Sequence, residues 1–130
     1  MKNKTEKIYS IYVLLGGILW FATILLRDLN LINDVYLKFL LGIIPNFAVV
    51  FLVFGIGMIY FPILIKKINI PLKKYYPYLL LILIWIFILI TEYLHQVFIN
   101  STWDNFDIIA SGLATLIIII IHNTFYNKKN

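Results

Sequence analysis

The sequence predicts an all-α membrane protein, a four-transmembrane-helix bundle with both termini in the cytoplasm. Composition is the first reason: 62% of the 130 residues are hydrophobic and only 13% are charged, whereas a soluble domain carries roughly a quarter charged residues. A soluble fold of this length has too little interior to bury so much apolar side chain, so lipid is the expected solvent. The other two reasons are the lengths of the apolar stretches and the distribution of charge between them.

Four apolar stretches approach the length of a membrane-spanning helix, which needs about 20 mostly apolar residues to cross a core roughly 30 Å thick. The first stretch follows three lysines and resembles a signal peptide. It has no small-x-small cleavage site, however, so we expect it to be retained as a helix. A single membrane domain covers residues 1–130, and its predicted spans are residues 8–26, 45–65, 78–95 and 105–122.

The basic residues predict the orientation of these spans. If both termini are cytoplasmic, nine of the eleven basic residues are cytoplasmic and only Arg27 and Lys38 lie outside. Short loops rich in lysine and arginine stay in the cytoplasm, so this bias predicts an N-in/C-in protein of the cell membrane. Because the bases lie beside apolar spans, the net charge of +5 reflects topology, and we predict no nucleic-acid partner. The acidic residues gather at the outer end: Asp28, Asp34, Glu92, Asp104 and Asp107.

Two interpretations fit residues 29–44. This segment is apolar enough to lie in the membrane interface, and its Asp34 and Lys38 share one helical face because they are four residues apart. We favour an outer interfacial or re-entrant segment, with the second span starting at Pro45, since proline suits the first helical turn. The alternative is one long kinked helix over residues 35–65.

Polar side chains within and beside the spans gather toward the outer end. An ionisable group at membrane depth costs about 2.5 to 3.5 kcal/mol on insertion, so such groups usually face a bundle interior or a wet cavity. Glu92 and His95 project from one side of the third span because they are three residues apart. We therefore predict an outer polar pocket whose candidate ligand-binding residues are Arg27, Asn46, Glu92, His95, Asp104 and Asp107.

Each candidate also has a structural interpretation. Asp104 suits an N-cap of the fourth helix and Asp107 its third position, where carboxylates favour the free amides. Arg27 can anchor the first helix at the interface, or it can pair with a carboxylate or an anionic headgroup. Glu92 can simply be solvated among headgroups, and Asn46 can simply mark a helix start.

Some classes of chemistry have no support in the sequence. There is no cysteine, which excludes thiol chemistry. We find no serine nucleophile with a base and no phosphate-binding loop, so neither an enzyme class nor a cofactor is predicted. Oxygen ligands at the outer end suit a divalent cation, but without a defined ligand spacing we predict no metal site.

Two motifs at the outer ends of the third and fourth spans resemble a known family. Residues 92–95 read Glu-Tyr-Leu-His, and residues 102–111 read Thr-Trp-Asp-Asn-Phe-Asp-Ile-Ile-Ala-Ser. Over roughly residues 80–120 the chain resembles VanZ-like membrane proteins, although it has histidine at 95 where the family often has glutamine and lacks the family's loop arginine. The resemblance implies a role in the cell envelope and a link to low-level glycopeptide resistance, with teicoplanin the usual example.

The leading hypothesis is therefore an integral membrane protein of the bacterial cell envelope. Its outer-leaflet pocket would bind a lipid-linked or headgroup-like ligand, and the lipid bilayer is its other expected partner. One alternative is a small proton-coupled transporter in which Glu92 and His95 exchange protons. Another is a non-catalytic subunit of a membrane complex, whose polar residues only cap helices.

Overall fold

Four α-helices make up the computed structural model, which describes residues 4–29, 34–68, 75–99 and 105–127. No strand occurs in these residues. Each helix contains a stretch long and apolar enough to cross a membrane, as in a multi-pass membrane protein. This finding confirms the predicted all-α class and the number of long apolar helices. The helices are α1 (Lys4–Asp28), α2 (Val35–Ile68), α3 (Tyr76–Ile99) and α4 (Asn105–Asn127).

The second helix differs from the favoured prediction. It is continuous from Val35 to Ile68, so residues 35–44 are its first turns and not a separate interfacial or re-entrant segment. The observed bounds are closer to the alternative of one long helix. Residues 30–33, which belong to the same prediction, lie outside the described part of the chain.

Asp34 explains why α2 starts where it does. Its Oδ1 atom accepts hydrogen bonds from the backbone N–H groups of Tyr36, at 2.8 Å, and Leu37, at 3.1 Å. These bonds satisfy two of the amides that a helix start leaves without an internal partner. Pro45 then lies inside the helix, where it has no N–H to donate to the carbonyl of Leu41.

α2 is the central helix of the bundle. Within the described residues its backbone lies close to those of the other three helices, α3 and α4 also lie close to each other, and the backbone of α1 approaches that of α2 alone. Aromatic rings fill the α1–α2 side of the core: Tyr12 packs against Phe51 and Phe54, with ring centroids 5.7 Å and 5.9 Å away. The buried cluster continues through apolar residues of α3 and α4 to Ala114 and Ile118.

Glycines let α1 and α2 approach until their backbones touch. A Cβ atom at Gly16 would lie 2.6 Å from the backbone nitrogen of Leu52, and one at Gly55 would lie 2.9 Å from that of Val13. Real Cβ atoms do not come this close to backbone atoms, so both positions require glycine. Backbone contact of this kind is typical of helices that associate through small residues within a membrane.

The outer surface of the bundle is apolar along the length of the helices. Soluble proteins rarely expose contiguous apolar patches larger than a few hundred Å². A surface built in this way suits lipid, in which side-chain exposure carries no hydrophobic penalty. Large exposed side chains occur on all four helices, among them Leu14, Ile18, Phe21, Ile56, Ile82, Phe87, Leu113 and Leu116.

Candidate functional site

A polar cavity of about 570 Å³ lies at one end of the bundle. It is bounded by the last turns of α1, the first turns of α2, the last turns of α3 and the start of α4. All four helices therefore contribute to one cavity. The residues that line it are Arg27, Lys38, Phe39, Gly42, Ile43, Pro45, Asn46, Thr91, Glu92, His95 and Asp107.

Most of the predicted ligand-binding residues meet in this cavity. The structure brings together Arg27, Asn46, Glu92, His95 and Asp107, which come from four different helices. The sixth candidate, Asp104, lies outside the described residues. The proximity of these side chains could be predicted because they lie at the same level of their spans. The ligand that they would bind stays a prediction.

α3 contributes Glu92 and His95 from within its last two turns. Seven more residues follow Glu92 before the helix ends at Ile99, so its Cα lies about 10 Å inside the end of the helix. Thr91 also lines the cavity, but its hydroxyl donates to the backbone carbonyl of Ile88 at 2.8 Å. The α3 wall therefore presents one carboxylate and one imidazole.

α4 contributes Asp107 from its first turn, where the partial positive charge of the helix N-terminus favours a carboxylate. Ser111, one turn further on, is fully buried, and its hydroxyl donates to the backbone carbonyl of Asp107 at 2.9 Å. This intrahelical bond occupies the serine hydroxyl. Asp107 is thus the polar side chain through which α4 lines the cavity.

α1 and α2 form the cationic wall, which contains a residue that the sequence interpretation left out. Arg27 comes from the last turn of α1, where a cation is favourable at the C-terminal end of a helix. Lys38, Gly42 and Asn46 follow one another at four-residue intervals along α2. Because residues 35–46 are helical, this spacing places Lys38 on the same face as Asn46.

Gly42 gives the cavity part of its width. A Cβ atom at this position would meet no other atom within 4 Å. Unlike Gly16 and Gly55, Gly42 is not needed for helix packing. Its missing side chain leaves open space between Lys38 and Asn46, one turn away on either side.

Comparison with known proteins assigns no family. No family model, curated protein or solved structure matches this chain. The resemblance to VanZ-like proteins depends on the sequence motifs alone, and three residues of those motifs, Glu92, His95 and Asp107, line the cavity.

Opposite charges line the cavity from different helix pairs. Arg27 and Lys38 come from α1 and α2, whereas Glu92 and Asp107 come from α3 and α4. A guanidinium and an ammonium suit phosphate or carboxylate oxygens, and two carboxylates suit ammonium or hydroxyl donors. In the described part of the chain, no group of three or more His, Cys, Asp or Glu side chains is arranged to hold a metal ion. The arrangement fits an organic ligand that carries both kinds of charge.

Proposed function

We propose that this chain is a multi-pass protein of the bacterial cell membrane whose polar cavity binds a lipid-linked or headgroup-like ligand of the cell envelope. The observation that carries the proposal is the cavity that collects Arg27, Asn46, Glu92, His95 and Asp107 at one end of four apolar helices. Its volume of about 570 Å³ falls within the roughly 300–1,000 Å³ of small-molecule sites.

The position of the cavity supports a headgroup-like ligand. Lys38 and Asn46 are eight residues apart on α2, so the cavity extends about 12 Å along this helix. Asn46 is the deepest of these residues on α2, eleven residues after the helix start at Val35. A site that begins near the helix ends and reaches this depth suits a polar group attached to a membrane-embedded molecule.

The motifs extend the proposal to a biological role. Residues 92–95 and 102–111 resemble VanZ-like proteins, and we propose on this basis that the chain belongs to the cell envelope and affects teicoplanin susceptibility. In this proposal Arg27 and Lys38 bind anionic oxygens of the ligand, and Glu92 and Asp107 accept hydrogen bonds from its donors.

Neutralising the two carboxylates is expected to remove this role without unfolding the protein. Glu92→Gln and Asp107→Asn keep the shape of each side chain but remove the charge that holds a cationic donor. We expect each variant to shift the teicoplanin susceptibility of expressing cells toward that of cells without the protein, while membrane abundance stays unchanged. The matched control is Asp28→Asn, which removes a carboxylate at the same end of the bundle from a residue that does not line the cavity. Unchanged susceptibility in both cavity variants at normal abundance would contradict the proposal.

The orientation that places the cavity at the outer leaflet has its own test. Because the chain has no cysteine, single cysteines can be introduced without background labelling. In intact cells, a membrane-impermeant maleimide is expected to label Asn30→Cys, between α1 and α2, and not Asn69→Cys, between α2 and α3. Both should react after permeabilisation, which serves as the control. The reverse pattern in intact cells would refute the N-in/C-in topology.

Two further measurements separate the alternatives. A proton-coupled transporter would give substrate flux in proteoliposomes that depends on a pH gradient and is lost in Glu92→Gln. A non-catalytic subunit would co-purify with a stoichiometric partner and would tolerate Glu92→Ala. The binding proposal expects neither of these results.

A further inference from the structure

An apolar groove of about 380 Å³ lies between α3 and α4. The surface that its lining residues expose is apolar. The hydroxyl of Thr115, which belongs to this lining, donates to the backbone carbonyl of Ser111 at 2.9 Å. The lining includes Tyr78, Ile82, Trp85 and Leu89 of α3 and Thr115 and Ile119 of α4.

The groove occupies the half of α3 that lies away from the polar cavity. It runs from Tyr78, two residues after the start of α3, to Leu89, whereas the α3 residues of the cavity begin at Thr91. Eleven residue steps of helix span about 16 Å, which is close to one leaflet, half of a hydrocarbon core roughly 30 Å thick. The groove therefore has the length of an acyl chain in the leaflet opposite the cavity.

A pair of polar side chains joins α3 to α4 at the membrane-surface end of this groove. The hydroxyl of Tyr78 donates a hydrogen bond to Oδ1 of Asn123. Asn123 continues the face of α4 that lines the groove, because it follows Thr115 and Ile119 at four-residue intervals. The bond uses the amide oxygen, so the two N–H donors of this amide can serve an oxygen of a headgroup.

Basic residues of α2 lie beyond the same end of the groove. A Cβ atom at Gly57 of α2 would meet the side chain of Leu80, so these two residues are level. Lys66 and Lys67 follow in the last turn of α2, about 13 to 15 Å from Gly57, and Tyr78 lies about 3 Å from Leu80 in the same direction. The two lysines therefore stand about 10 Å beyond Tyr78, at the level of lipid headgroups.

The charge at this end of the bundle is predominantly positive. Glu6 is the one acidic residue of the described helices at this end. Four more lysines lie outside the described residues but stand within three residues of the start of α3 or the end of α4 in the sequence: Lys73, Lys74, Lys128 and Lys129. Anionic lipids are attracted to such basic segments beside membrane spans.

We propose that the groove between α3 and α4 binds one anionic glycerophospholipid of the leaflet opposite the cavity. An acyl chain lies between Tyr78 and Leu89, and the phosphate lies beyond Asn123, toward Lys66 and Lys67. This inference goes beyond the function proposed above, because the cavity and the groove have no lining residue in common. The ligand of the cavity can therefore be wrong while this site is right, and the reverse.

The net charge of the headgroup is what selects the lipid. A phosphatidylglycerol headgroup is anionic, so the lysines at this end attract it as a whole. A zwitterionic headgroup carries a cation of its own, which the same lysines repel. The apolar lining of the groove accepts the acyl chain of either lipid, so we expect selectivity to come from the headgroup alone.

Tryptophan quenching measures occupancy of the groove. The variant Trp20→Phe/Trp103→Phe leaves Trp85 as the only tryptophan in the sequence. Its ring packs against α4, since a Cβ atom at Gly112 would lie 3.3 Å from Trp85 Cζ2. The purified full-length protein in detergent is titrated with phosphatidylglycerol that carries bromine on its acyl chains. We expect saturable quenching at a low lipid fraction, with an apparent affinity at least about tenfold tighter than for brominated phosphatidylcholine.

Two matched pairs of variants, made in this single-tryptophan protein, locate the acyl chain and the headgroup. Ile82→Phe adds volume to the groove, whereas Leu83→Phe makes the same kind of change at a neighbouring residue outside it; the two side chains are similarly exposed, at 58% and 56%. We expect saturable quenching to weaken in Ile82→Phe and to persist in Leu83→Phe.

The second pair removes two positive charges from either end of the bundle. Lys66→Gln/Lys67→Gln is expected to reduce the preference for phosphatidylglycerol over phosphatidylcholine at least about threefold. Arg27→Gln/Lys38→Gln makes the same change in net charge at the opposite end and should leave this preference unchanged. Far-UV circular dichroism confirms that each variant keeps its helices.

Three results would overturn the inference. Quenching that rises in proportion to the lipid fraction, equally for both lipids, reports bulk lipid contact. Saturable quenching with equal affinity for both lipids shows that the groove does not select an anionic headgroup. Equal weakening in folded Ile82→Phe and Leu83→Phe proteins places the bound chain outside the groove.

Discussion

Replacing Gly16 with alanine is expected to push α1 away from α2 and to destabilise the bundle severely, whereas Gly17→Ala is expected to be tolerated. The new methyl carbon at Gly16 would lie 2.6 Å from the backbone nitrogen of Leu52 and 2.7 Å from the backbone carbonyl oxygen of Ala48. Backbone atoms in a helix cannot rotate out of the way, so the two helices must separate. At Gly17 the nearest atom, Leu52 Cδ1, lies 3.8 Å away, which is an ordinary contact.

Thermal unfolding in detergent, followed by circular dichroism, measures the difference between the two variants. Alanine improves intrinsic helix propensity by about 1 kcal/mol at either position, so the comparison isolates packing. Overpacking typically costs about 1–3 kcal/mol, and a backbone clash on the face that joins α1 to its one described partner should reach or exceed the upper value. Equal unfolding midpoints for the two variants would show that the helices do not meet at Gly16.

Phe54→Ala is expected to cost about 3–5 kcal/mol of unfolding free energy, the usual range for removing a buried aromatic ring. The Phe54 side chain has 0% exposure and lies at the centre of the aromatic cluster. Its ring centroid is 6.3 Å from that of Tyr9 and 5.9 Å from that of Tyr12. In lipid, helices associate through packing rather than through exclusion of water. Deleting the Phe54 ring therefore removes contacts that join α1 to α2 and leaves a void in their place.

Phe87→Ala is the matched control for this substitution. It removes the same ring from α3, at a side chain that is 63% exposed on the apolar exterior. Lipid replaces the lost contacts there, so we expect little change in stability. Unfolding in mixed micelles with an increasing fraction of denaturing detergent measures the stability of both variants. Similar unfolding midpoints would show that Phe54 does not join α1 to α2.

The existence of four long helices could be predicted from the sequence because the membrane imposes a length on every span. About 20 apolar residues are needed to cross the core, and this requirement does not depend on how the helices pack. The pairing of the helices could not be predicted in the same way. The faces of α1 and of α3 differ little in hydropathy, so periodicity does not reveal which face is buried against a neighbour and which faces lipid.

The start of α2 was misplaced because Pro45 was interpreted as a helix-start residue. That preference holds where the residue lies in the first turn. In the structure, Asp34 caps the helix well before the proline, and a long apolar helix accommodates the proline in its interior. A more useful signal was the capping pattern itself, an aspartate directly before an apolar run.

The candidate site could be predicted because its polar residues lie at the same level of their spans. The structure places three of them, Arg27, Glu92 and Asp107, in one cavity. Lys38 was missed as a consequence of the misplaced helix start, since it was assigned to a separate segment. Gly42 was missed for a different reason. A residue that matters because its side chain is absent gives no chemical signal, and only the three-dimensional arrangement reveals the space beside it.

The close backbone approach of α1 to α2 has a consequence for biogenesis. Within the described residues, the backbone of α1 comes close to that of α2 alone, and the two backbones meet at Gly16 and Gly55. α1 and α2 are synthesised before α3 and α4, so the close backbone approach of α1 to α2 can form as soon as α2 has entered the bilayer. A packed hairpin of α1 and α2 can therefore form before α3 has been synthesised. α3 and α4 then complete the bundle and, with it, the mixed-charge cavity.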